Sequence, residues 1–241
     1  MLGSVYICNM EESIKFVEEL KRKHALQASP YNAPIMEGYM KNQFAFYGIH
    51  SPERKEILKS QIKDMGYPSL ATIDHVIRLL WDAPYRELQY SAQEILSRKQ
   101  YLESPQRIEL IEFMIVNKSW WDTVDFIACK LAGEWFRKHP DQIIPITGRW
   151  IESENMWLKR AAILFQLKYK NDTNEELLFD YIRRLSGEQD FFIRKAVGWA
   201  LREYAKTNPL SVRMFVSDEQ LSSLSTREAL KHFSPMRKDE L

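Results

Sequence analysis

Four large aromatic residues, Tyr85, Trp121, Trp157 and Phe192, stand 36, 36 and 35 residues apart in a chain of 241. Each lies near the start of an apolar-periodic stretch. Small residues follow at similar offsets: Ala92, Ala128, the Ala161–Ala162 pair and Ala196. A helix pair recurring at this interval marks an α-solenoid, whose units bury their apolar sides only against their neighbours. Hairpin-rich β architectures and phosphate loops both need more glycine than the 8 present, and no stretch reads as a strand bounded by hairpin turns. The expected fold is therefore all-α: an α-solenoid of helical hairpins, one domain over residues 1–241, with a concave face lined by corresponding positions of successive repeats.

The pattern can be followed in order. Residues 11–27 place Ile14, Val17, Leu20 and Leu26 near helical spacing among charges, which predicts an amphipathic opening helix. Ser29 to Pro34 breaks it, and a second helix is expected from Met36 to Phe44. Ser51 reads as an N-cap with Pro52 at the first helical position, ahead of a helix that stops at Gly66-Tyr67-Pro68. Helices are then expected over Thr72–Trp81, Tyr85–Ser97, Gln106–Val116, Trp120–Leu131, Pro140–Trp150, Met156–Lys170, Asn174–Leu185 and Phe191–Lys206. A last one is expected near Ser225–His232, where Ser225-Thr226-Arg227-Glu228 has the form of a capping box.

Charge and cysteine usage narrow the function classes. Net charge is +1, so any basic surface must be local. Cys8 and Cys129 form neither a disulfide framework nor a thiol metal site, and the five histidines match no zinc pattern. No metal or organic cofactor is implied. No apolar run approaches the roughly 20 residues of a membrane span, and no secretory signal opens the chain. The terminal Lys238-Asp239-Glu240-Leu241 spells a retrieval address for the endoplasmic reticulum, but nothing would carry the chain there. It reads as chance, and a cytoplasmic, nucleoid-associated protein is expected.

The stretch Ser119-Trp120-Trp121-Asp122-Thr123-Val124-Asp125 stands out within this regular pattern. On a helix Trp121 and Asp125 are four apart and share a face, and an aromatic ring beside an anion suits a planar cation. One turn beyond the repeat aromatics lie Gln89, Asp125, Arg160 and Lys195: an amide, an acid and two bases. A structural repeat would tend to keep one residue class there, so this mixture points to a site rather than packing. Trp120 and Trp157 are assigned to packing.

These residues carry a resemblance. The Ser119–Asp125 run, Trp157-Leu158-Lys159-Arg160-Ala161-Ala162-Ile163-Leu164, and Ile193 to Tyr204 with its Trp199 closely resemble the AlkD family of DNA alkylation repair glycosylases. So do Tyr39 to Phe44, Gly48-Ile49 and Pro52-Glu53-Arg54. The resemblance spans roughly residues 35–235, four segments in order and spacing. It implies HEAT-like repeats and a monofunctional enzyme that removes N3- and N7-alkylated purines from double-stranded DNA. It also implies a cleft containing Trp121, Asp125, Arg160 and Trp199, with Tyr39 presented to DNA near the lesion.

The chemistry fits those residue types. An alkylated purine is cationic and leaves readily, so no strong general acid is needed. A carboxylate at C1′, for which Asp125 is expected, stabilises the charge developing on the sugar and orients water. Trp121 and Trp199 would flank the nucleotide. Arg160 would clamp a phosphate, its alternative being an intramolecular pair with Asp125. Phosphate contacts are expected from Lys168, Arg194 and Arg202, with Lys195, Lys206, Lys41 and Arg54 as further candidates and Phe192 beside them. The expected partner is duplex DNA carrying alkylated purines, bound by a monomer. The competing readings are a non-catalytic binder of distorted DNA and a protein-interaction scaffold.

Overall fold

The structure, a computed structural model, describes residues 2–231 and 233, with side chains from Asn9 onward. His232 and the Lys238–Leu241 tail lie outside the described residues, as does the side chain of Cys8. Among the described residues there is no named strand, only an isolated parallel bridge between Ala45 and Tyr85. The protein is an all-α repeat fold. No described helix is long and apolar enough to cross a membrane.

The chain forms two compact units, Met1–Leu110 and Ile111–Leu241. The first contains α1 (Leu2–Leu26), α2 (Ala33–Tyr39), α3 (Ser51–Met65), α4 (Ile73–Asp82), α5 (Arg86–Leu96) and a 3-10 turn at Lys99–Leu102. Helix α1 packs on α3 and α4, and α4 pairs with α5. The buried stripe of α1 runs through Ser13, Phe16, Val17, Leu20 and His24, while Ile14 and Leu26 lie outside it at 46% and 72% exposure. Positions 13, 17, 20 and 24 repeat every three to four residues, so the register that buries Val17 and Leu20 turns those two apolar residues outward.

The loop before α3 is held by one acid. Buried Glu87 of α5 accepts from the amides of Tyr47, Gly48 and Ile49 at 3.0, 2.9 and 3.1 Å. Gly48 is required there, because its φ is +83° and a Cβ would stand 2.4 Å from the Ser29 carbonyl oxygen. Helix α3 begins one residue earlier than its Ser-Pro signal predicts: His50 is the N-cap, Ser51 is the first helical residue, and no side chain closes the cap. Helix α2 ends at Tyr39 instead of continuing to Phe44, because Lys41 and Asn42 both take φ of +57°.

The boundary between the units falls within α6 (Arg107–Val116). The second unit continues with α7 (Trp121–Phe126), a π turn (Ile127–Ala132), α8 (Gly133–Lys138), α9 (Ile143–Ile151), α10 (Met156–Leu164), α11 (Glu175–Arg184), α12 (Phe191–Tyr204), α13 (Pro209–Asp218) and α14 (Ser223–Ala229). Helix α10 contacts α7, the π turn and α12 as well as its hairpin partner α9, and α12 in turn contacts α14. The second helices of successive hairpins therefore stack side by side, as a 36-residue repeat requires. Trp135, Phe136, Trp150 and Phe165 are buried together, with Phe136 edge-on to Trp150 and Phe165 at 5.6 and 5.1 Å. Each such ring contributes about 1.5–3 kcal/mol by burial.

Caps fix the helix starts. Asn155, Asn174, Asp190, Asn208 and Ser222 each accept an amide hydrogen bond from the first turn of the following helix. The last of these corrects the capping-box expectation: Ser222 accepts from the Ser225 amide at 3.1 Å, and Ser225 lies inside the helix. Helix α13 was not expected from the pattern, although Asn208-Pro209 supplies both its cap and its first-turn proline.

Candidate active site

Helix α7 enters from a tight turn. Lys118 takes φ of +48°, and Ser119 donates its hydroxyl back to the Ile115 carbonyl at 2.6 Å. Trp120 is extended, and α7 starts at Trp121. Trp121 and Asp125 thus lie four apart on six residues of true α-helix, as expected, and both are half-buried.

Asp125 meets Arg160 of the neighbouring α10. The guanidinium donates from Nε to Oδ1 at 2.7 Å and from Nη2 to Oδ2 at 2.9 Å, a two-pronged pair in which planar fork faces planar carboxylate. Its remaining arm, Nη1, donates to the Phe192 carbonyl oxygen at the start of α12. One arginine thereby joins three successive second helices. The Arg160 side chain is 5% exposed and that of Asp125 17%, so the pair is largely buried and a fraction of the Asp125 side chain reaches solvent. Burial holds the Asp125 carboxyl above the usual aspartate range, against the opposing hydrogen bonds and charge of Arg160. An ionised carboxylate has about four lone-pair sites, and Arg160 occupies one on each oxygen.

Beside this pair stands an aromatic cluster at the starts of α7, α10 and α12. Trp120 lies 5.9 Å from Trp157 and 5.1 Å from Phe192, and Trp157 is 5.1 Å from Phe192. Trp120 and Trp157 do pack, as expected, and the ring they pack around is Phe192, whose carbonyl holds Arg160. Phe191, next in line at 5.5 Å, is exposed.

The other expected residues are distributed as follows. Trp199 is half-buried in mid-α12. Arg202 and Lys195 both grip Glu228 of α14, at 2.7 and 2.8 Å, and these cations hold its carboxyl below the ordinary glutamate range, Lys195 foremost. Arg194 donates to the Glu188 carbonyl at 3.0 Å and to Gln189. Lys168 is exposed and 3.6 Å from Glu203. Tyr39 belongs to the other unit, at the end of α2, and is 68% exposed. The mixed repeat position has a structural use throughout: Gln89 donates to the carbonyls of Leu80, Trp81 and Ala83, and Asp125, Arg160 and Lys195 are ion-paired across layers.

A cavity of about 400 Å³ lies at the C-terminal ends of α10 and α12, between Leu167, Leu178 and Tyr204, and does not include Asp125. Among the described residues, no group of three or more His, Cys, Asp or Glu could hold a metal ion.

The stacked helical hairpins agree with the comparisons to known proteins. The family model described as "DNA alkylation repair enzyme" matches residues 20–233. The chain belongs to the DNA alkylation repair enzyme family. A solved structure described as a predicted DNA alkylation repair enzyme from Enterococcus faecalis is similar at 33% identity and a TM-score of 0.80, covering 87% of this chain and 98% of that one. No curated protein matches. Membership of the family supports a role in alkylation repair, with DNA as the substrate.

Three features of the site escaped sequence reasoning. The Phe192 carbonyl, the Glu228 clamp and the π turn after Asp125 all depend on contacts between layers. Glu228 carried a partial signal, lying 33 residues after Lys195 just as Arg160 lies 35 after Asp125.

Proposed function

We propose that this protein is a monofunctional DNA glycosylase that hydrolyses the N-glycosidic bond of N3- and N7-alkylated purines in duplex DNA. The observation that carries the reading is the two-pronged, largely buried Asp125–Arg160 pair, in which the Asp125 side chain keeps 17% exposure, on the helical face shared with Trp121. A largely buried acid–arginine pair that keeps some access to solvent, four residues from a half-buried indole on one helix of a DNA repair family member, suits a reacting carboxylate.

In the reaction, the C1′–N bond breaks and its electron pair neutralises the cationic base, which leaves without protonation. Positive charge grows on the sugar, and the Asp125 carboxylate stabilises it because both are held in a partly desolvated setting. Water then adds at C1′ and loses its proton, with Asp125 as the acceptor that orients it. Arg160 keeps both carboxylate oxygens fixed, so nothing reorganises as charge develops. Trp121 and Trp199 offer π faces to the cationic nucleotide, worth about 0.5–2 kcal/mol each. Lys168, Arg194, Arg202 and Phe192, with Tyr39 from the first unit, are the proposed DNA contacts. Arg160 serves Asp125 in the free protein, and a direct phosphate contact by Arg160 would come at the expense of that pair. The protein is proposed to act as a cytoplasmic monomer.

The deciding assay is release of 7-methylguanine from methylated duplex DNA. Wild type is expected to release it, and Asp125→Asn to be slower by about 10²–10³ with duplex binding retained. Release by neither, with binding intact, would leave a non-catalytic binder of distorted DNA. A second assay compares adducts of growing size, since a cationic lesion needs no deep pocket. A sharp loss beyond methyl would contradict that part of the reading.

A further inference from the structure

We propose that the π turn at Ile127–Ala132, together with Gly133 and Tyr169, sets the pose of Asp125 against Arg160, which makes Tyr169 and Gly133 positioning residues. The inference rests on the hydrolysis proposed above and adds residues to it.

Three residues at every fourth position, Asp125, Cys129 and Gly133, meet α10 and the residues that follow it. Asp125 binds Arg160. The Cys129 thiol donates to the Leu164 carbonyl at 3.5 Å. Gly133 lies so close to the chain that a Cβ there would stand 2.4 Å from the Phe165 carbonyl oxygen. At about 3.6 residues per turn, an unbroken α-helix would drift roughly 80° over those eight residues and carry Gly133 off the line. The wider i→i+5 turn takes up the drift, so the seam stays straight. Its closing bolt is Tyr169, whose buried hydroxyl donates to the Gly133 carbonyl at 2.6 Å.

Leu164 and Phe165 are four and five residues from Arg160, about 6–8 Å along the helix axis. With the seam fixed at that end, the guanidinium reaches Asp125 in one register. Regular α-helix from Trp121 to Lys138 would also bond its backbone, and the bulged form adds the alignment with α10. The groups facing Asp125 are Arg160 from α10, Asp122 on its own turn, and Cys129, whose thiol burial holds up to about 12 and so neutral at working pH.

The test uses the full chain and two variants. Tyr169→Phe removes one hydroxyl; deletion of exposed Lys130 removes the extra residue of the wide turn. Two quantities are read: single-turnover release of 7-methylguanine from methylated duplex, and the titration midpoint of the Asp125 carboxyl by carbon NMR, assigned against Asp125→Asn. Tyr169→Phe is expected to keep its helical circular dichroism and duplex affinity and to slow release about 10- to 100-fold. Its Asp125 midpoint should rise as the pull of Arg160 weakens. The Lys130 deletion should show both changes more strongly; should it not fold, Tyr169→Phe carries the test alone. An unchanged midpoint overturns the proposal, as does an unchanged release rate in a protein whose wild type is active. A moved midpoint in a protein that releases no base would leave the positioning intact and remove the glycosylase reading.

Discussion

At the scale of single residues, charge placement decides most outcomes. Arg160→Ala would strand the Asp125 carboxylate in a largely buried setting, and removing one partner of such a pair costs about 3–5 kcal/mol. Urea unfolding should show that loss, with Arg160→Lys intermediate because an ammonium cannot grip both oxygens. His24 gives a second residue-scale expectation. Its Nδ1 donates to the Leu20 carbonyl at 2.8 Å, Nε2 is buried without a partner, and burial holds the ring's pKa down to about 4. The unfolded chain protonates near 6.5, so its contribution is complete above that pH. It is lost as pH falls from about 6.5 to about 4, by up to about 3 kcal/mol. Stability measured across that window should flatten in His24→Gln, whose amide can still bond Leu20.

At the scale of elements, the amphipathic pattern located nearly every helix but not its boundaries. Ser51 and Ser225 both looked like caps, and both lie one or more residues inside their helices. Many sequences offer several hydroxyls near a helix start, and the one that caps is chosen by where the preceding loop is anchored. For α3 that anchor is Glu87, a contact 38 to 40 residues away. Gly48 is the tight point of this loop: Gly48→Ala must place a Cβ against Ser29 and Ala33 backbone at positive φ. A loss of at least about 1–3 kcal/mol is expected, seen as a lowered melting temperature. Asn174→Ala should cost less, about 1 kcal/mol, since it deletes only the cap to Leu177.

At the scale of the whole molecule, the modest net charge of +1 means DNA affinity depends on which cations remain available. Arg202 and Lys195 share Glu228, whereas exposed Lys168 makes only a long contact with Glu203. Lys168→Ala should therefore lower the salt slope of duplex binding by about 1, and Glu228→Gln should raise affinity by releasing two cations. Fluorescence anisotropy at several salt concentrations measures both.

The sequence alone determined that the chain is helical, that hairpins recur every 36 residues, and that Trp121 and Asp125 share a face. These follow from local periodicity, which each segment carries within itself. It favoured a phosphate clamp for Arg160, with an intramolecular pair to Asp125 as the alternative. Only the tertiary structure shows Arg160 paired with Asp125 in the free protein, because which partner a guanidinium finds depends on the offset between neighbouring helices. That offset is set by a π turn, a missing Cβ at Gly133 and one phenol hydroxyl, contacts that cross from layer to layer and leave no periodic trace in the chain.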